Sequence, residues 1–165
     1  GFIFSAIYYG YSMGIAPVIS YNFGAQNHLE MKNLFRKSMV VLTVTSVTMA
    51  VLAILLAYPL AKIFVGYDRT LMEMTAKGFV IYAFSFLFSG FNMFGSSMFT
   101  AFNNGLISAV ISFVRTLICQ IAAVLLLPLI FQLDGIWMSI VAAELAAVLL
   151  TGFCFIKFRK RYHYA

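Results

Sequence analysis

Residues 79–99 read FVIYAFSFLFSGFNMFGSSMF, a run without a single charge. About 20 helical residues, at ~1.5 Å each, cross the ~30 Å hydrocarbon core of a bilayer. A strand of a membrane barrel would instead show ~10 residues of alternating polarity, and nothing here alternates. The polar members Tyr82, Ser85, Ser89, Asn92 and Ser96 recur every three or four residues, while Phe84, Phe86, Phe88 and Phe91 lie away from that stripe. The run therefore reads as a membrane-crossing helix with one face toward lipid or apolar neighbours. Its other face meets protein or water.

Four further runs of similar length flank it. They extend from Phe2 to about Ser20, Met39 to Tyr58, Ile107 to Phe131 and Gly135 to Ile156, and the whole chain of residues 1–165 reads as one all-α integral membrane domain of five spans. With 63% hydrophobic and only 10% charged residues, the chain cannot cover a water-facing surface, so soluble folds are excluded. Disorder is excluded too, because disordered chains are poor in the aromatics that make up 17% of this one. The opening at Gly1 lies inside an apolar stretch without a basic leader, and reads as the start of a piece of a longer protein.

The net charge of +6 does not gather on one stripe as a nucleic-acid surface requires, so no nucleic-acid partner is expected. The bases sit at the edges of apolar runs. Lys32, Arg36 and Lys37 fall in the first connection, and Lys157, Arg159, Lys160 and Arg161 in a basic tail of residues 157–165. Five spans place both segments, and the Asn103 connection, on one side, which the excess of Lys and Arg marks as cytoplasmic in a cell membrane. The opposite side receives the loop at Asp68, Arg69 and Glu73 and a tight turn at Asp134 and Gly135. Tyr58, Tyr67, Trp137 and Tyr162 fit aromatic anchors at the two interfaces.

Polar groups at membrane depth need partners, so they mark candidate sites. The first span carries Ser5, Tyr8, Tyr9 and Ser12, with Gly10 and Gly14 in close-packing spacing and Pro17 as an interruption; it is either a moving hinge or a tightly packed helix. The fourth shows Ser108, Ser112, Arg115 and Cys119, where Arg115 can snorkel toward the nearer surface, and Pro128 further on is expected to kink the helix. In the fifth, Glu144 is the one acid well inside a span. It suits a proton carrier, unless a cation such as Arg115 pairs with it; hydrogen bonding to an adjacent helix is the plainer alternative. Across the third span, Tyr82 to Ser96 divide between cavity lining and interhelical glue. Cys119 and Cys154 read as small buried hydrophobes, and no enzyme constellation, metal cluster or phosphate loop is evident.

The order of these motifs resembles that of the multidrug and toxic compound extrusion (MATE) family. Gly14, Ala16, Pro17, Tyr21, Asn22, Phe23, Gly24 and Ala25, followed by bases to Arg36, are similar to its eighth helix and next loop. Asn104, Gly105 and Arg115 are similar to the passage from the tenth to the eleventh helix, and Asp134, Gly135, Ile136, Trp137 and Glu144 to the twelfth. The resemblance implies a partial six-helix lobe of a twelve-helix transporter, lacking the seventh helix and the first lobe. It implies export of small organic, often cationic compounds in exchange for protons or sodium, without a bound cofactor. The span matching the tenth helix offers Asn92 and serines but no carboxylate, which shifts the expectation toward proton coupling through an acid of the first lobe, aided by Glu144. On this reading Tyr8, Tyr9, Ser12, Tyr82, Ser85, Ser89, Asn92 and Ser96 line the substrate pathway, Glu144 and Arg115 handle charge, and Gly10, Gly14 and Pro17 form a hinge. A lipid-linked saccharide flippase of the same superfamily and a non-transporting membrane scaffold are the alternatives.

Overall fold

The structure is a computed structural model that describes residues 2–164. Among these there is no strand. Helix α1 covers Phe2–Gly24, α2 His28–Val65, α3 Arg69–Ala83, α4 Phe86–Ala101 and α5 Gly105–Phe113, which passes through a π-helical turn at Val114–Cys119 into α6, Gln120–Tyr162.

The turns explain the helix bounds. Gln26 takes φ 55°, its N–H donates to the Phe23 carbonyl, and that of Asn27 reaches back to Asn22. The Asn27 side chain then accepts from the Glu30 N–H at 3.2 Å and starts α2 at once. The same device recurs at Asn103, with φ 57°, and Asn104, whose side chain accepts from the Ile107 N–H at 3.3 Å. Lys32, Arg36 and Lys37, expected in a connection, therefore stand in the first turns of α2. At ~1.5 Å per residue the 38 residues of α2 are about 57 Å long, so this basic end projects beyond the hydrocarbon.

The expected third span is longer and broken. It begins at Arg69, where Asp68 caps the helix by accepting from the Leu71 N–H, and it bends by 42° between α3 and α4. At the break the Phe84 and Ser85 N–H groups bond three residues back, to Ile81 and Tyr82, and the Ser85 hydroxyl donates to the Tyr82 carbonyl at 2.7 Å. A serine competing for backbone groups at this point loosens the ladder.

Residues 105–162 form an antiparallel pair. Asn104 donates to the Tyr162 hydroxyl at 2.6 Å, Arg115 meets Glu144, and Gly135 abuts Leu127 and Pro128, so the pair closes near residue 131. The reversal is at Gln132, with φ 51° and ψ −125°, rather than at the expected Asp134 and Gly135. Gly135 has no left-handed φ; a Cβ there would lie 2.8 Å from the Pro128 Cα. Its use is close approach of the two arms. With α1, α2 and the bent α3–α4 pair, the two arms give five passes, as the sequence led one to expect.

One end of the bundle gathers the 25–27 and 102–104 turns and the C-terminal segment. There Phe102 stacks on Tyr162 at 4.5 Å, and Phe23 lies 5.1 and 5.6 Å from the same two rings. Tyr162 is buried in this cluster and is not an interface anchor. The segment expected as a basic tail stays helical to Tyr162, and His163 then reverses it with φ 53°. Tyr164 is fully buried, 4.9 Å from the Phe35 ring, with its hydroxyl donating to the Phe155 carbonyl at 2.7 Å. Burial pushes the Tyr164 phenol up from its usual range. At the opposite end Lys77 pairs with Asp134, and Gly78 leaves room for the Trp137 ring. Tyr58 and Tyr67 are exposed.

Candidate functional site

Glu144 and Arg115 meet in the interior. The Arg115 Nε donates to both carboxylate oxygens, at 3.0 and 3.1 Å, and Nη2 donates to Oε1 at 2.7 Å. Their side chains are 17% and 13% exposed, so Arg115 turns inward to the acid and does not snorkel. A bidentate pair of this kind is among the stronger polar contacts available to a protein. The π-helical turn carries Arg115; such wide turns are frequent at functional sites.

Asn92 completes the centre. Its Nδ2 donates to Glu144 Oε2 at 2.8 Å and to the Glu144 carbonyl at 3.1 Å, and its Oδ1 accepts from the Thr151 hydroxyl at 2.9 Å. Asn92 and Thr151 are fully buried. Gly95, one turn on, has no Cβ to strike the Thr151 methyl, which lets α4 lie against α6 here. Thr151 was not singled out in the sequence, although it stands seven residues from Glu144 on the same helical face. A polar residue at i+7 was the available signal.

Beside this centre opens a cavity of about 210 Å³ lined by Tyr9, Ser12, Met13, Met93, Ser96, Ser97, Ser112 and Arg115. The Ser96 hydroxyl is 2.9 Å from that of Ser108 and 2.7 Å from that of Ser112. Ser97 donates to the Ser12 carbonyl at 3.0 Å. The Ser12 hydroxyl is buried with no partner among the described residues. Met13, Met93 and Ser97 carried no signal beyond their place on helical faces shared with Tyr9 and Ser96.

The expected polar stripe thus does not act as one surface. Tyr82 lines a different cavity, of about 300 Å³, with Phe4, Phe79, Phe86 and Trp137. Ser85 and Ser89 donate to carbonyls of their own chain segment, Tyr82 and Ser85, and are buried. Tyr8 is buried against Gly90, with its hydroxyl donating to the Phe86 carbonyl at 2.9 Å, and it lines neither cavity. Tyr9, Ser12 and Ser96 do line the smaller one. Beyond the backbone of their own helix and their immediate neighbours, Gly10 and Gly14 have no atom of the described residues within 4 Å of a would-be Cβ. Close packing at these glycines is therefore not found among the described residues, because α1 faces the bundle through Tyr8, Ser12, Ile19 and Asn22. Pro17 stands inside α1, which continues helical to Gly24.

Long apolar helices that fold back on one another around a buried ion pair define a multi-pass membrane protein. The MatE family profile matches residues 1–126, and the chain belongs to the MatE family. Glu144 lies beyond the matched residues. The fold is similar to that of a Vibrio cholerae MATE transporter, VcmN, solved in its bent form: TM-score 0.82 and 17% identity over 93% of this chain and 35% of that one. The chain thus spans about a third of that transporter's length. No curated protein matches the chain significantly.

Proposed function

We propose that the chain is part of a secondary transporter that exports small organic, often cationic compounds in exchange for protons or sodium ions. The observation that carries this reading is the Arg115, Glu144 and Asn92 centre standing against an open cavity among helices of a MatE-family lobe. A purely structural contact would not require a buried acid, a base and a cavity at one depth, and intramembrane ionisable groups ordinarily mark transport pathways. Tyr9, Met13 and Met93 offer an apolar and aromatic bed for an organic ring. Access from the two sides would alternate by rocking of this lobe against helices outside the present chain, in a cell membrane with the C-terminal end cytoplasmic.

Cells producing the full-length protein test this. At equal amounts in the membrane, Asn92→Leu and Glu144→Gln are each expected to slow ethidium efflux by about ten- to a hundredfold, the scale set by losing a charged hydrogen bond of ~1.5–3 kcal/mol. Wild-type efflux in both variants would remove this lobe from the transport chemistry.

A further inference from the structure

The cavity beside Arg115 is rich in donors and has no carboxylate in its wall. A guanidinium carries five N–H donors. Nε and Nη2 serve Glu144, while Nη1 finds no acceptor among the described residues, although Arg115 lines the cavity. Ser12 lines the same space, but its hydroxyl oxygen is buried away from it with no partner among the described residues. Ser96 and Ser112 add two hydroxyls 2.7 Å apart. Glu144 stands behind Arg115, outside the cavity wall.

We infer that this cavity holds one small anionic group, gripped by the free Nη1 edge of Arg115 and by the Ser96 and Ser112 hydroxyl pair. A halide ion and the carboxylate of an aromatic cargo share that chemistry. At about 210 Å³ the space fits either, and the Tyr9, Met13 and Met93 wall suits the ring of the second. Glu144 already neutralises most of the Arg115 charge, so the site is weak while the pair is intact and strengthens when the carboxylate loses its charge. The inference gives a guest to the cavity assigned above to transport, and its test is independent of transport.

The purified full-length protein is melted in chloride or benzoate at constant ionic strength, with gluconate as the bulky filler anion. Either anion is expected to raise the melting midpoint of the wild type in a saturable way, with half-saturation about tenfold lower in Glu144→Gln, where Arg115 has lost its competing charge. A response to chloride identifies a halide site; a stronger response to benzoate identifies a seat for the acid group of cargo. Arg115→Gln alone strands Glu144, so the neutral pair Arg115→Gln/Glu144→Gln serves as the blank and is expected to give no response. The inference is overturned if that pair responds like Glu144→Gln, or if neither anion shifts the wild type and Glu144→Gln. Loss of efflux in Glu144→Gln without an anion response would leave the transport reading standing and remove this one.

Discussion

Tyr8 owes its place to a missing methyl group. A Cβ on Gly90 would lie 2.7 Å from the Tyr8 Cε1 and 3.2 Å from the Ser46 hydroxyl, so α1 and α4 can seat this ring only against glycine. Gly90→Ala is therefore expected to lower the stability of the full-length protein by ~1–3 kcal/mol, the usual cost of overpacking, despite alanine's better helix propensity. A thermal melt checks it; an unchanged or raised midpoint would show that Tyr8 has another seat. The central residues were readable to different degrees. Asn92, Glu144 and Arg115 all stood out as polar groups in apolar runs, and the alternative in which Arg115 pairs with Glu144 was open from the start. That Asn92 joins them was not readable. Its link to Glu144 crosses 52 positions and depends on how two helices are rotated, which periodicity within either one cannot supply.

Among the elements, the hairpin of residues 105–162 stores the clearest local strain. Gln132 holds φ 51° and ψ −125°, a conformation that suits glycine and costs other residues ~1–3 kcal/mol. Gln132→Gly should raise stability by about 1 kcal/mol, and Gln132→Val should lower it, in chemical denaturation of the full-length protein. If both lower it, the side chain is used in a way the backbone does not reveal. The count of five passes was legible because apolar run length answers directly to bilayer thickness. The places where helices bend or reverse were not. Asp134 and Gly135 have turn composition, yet Gly135 serves the approach of two arms and the reversal falls on an ordinary glutamine. Ser108, Ser112, Arg115 and Cys119 looked like one stripe at regular spacing. The π-helical turn widens the ladder at Val114–Cys119, so the two serines meet Ser96 on α4 while Arg115 meets Glu144 on α6.

Across the whole molecule, charge is sorted by end. The end with the Asn27 and Asn104 caps holds Lys32, Arg36, Lys37, Lys157, Arg159, Lys160 and Arg161 against Glu30 alone, which accounts for the entire net charge of +6. Elsewhere bases and acids balance, and three pairs are in contact: Arg69 with Glu73, Lys77 with Asp134, and Arg115 with Glu144. If the basic end is cytoplasmic, a membrane-impermeant maleimide should label Tyr67→Cys in intact cells and Lys160→Cys only after permeabilisation, in a full-length background with Cys119→Ala and Cys154→Ala. The reverse labelling would invert the orientation. The same sorting has an electrical consequence. Moving a charge across a bilayer requires ~2.3 kcal/mol per 100 mV, so turning this lobe over would meet a voltage penalty on the order of 14 kcal/mol in a cell at that potential. The buried Arg115 and Glu144, being one positive and one negative charge held together, sense almost none of that field. On the proposed transport reading, rocking of this lobe would do no electrical work through its own buried side chains, and voltage dependence would fall to the ions and cargo carried.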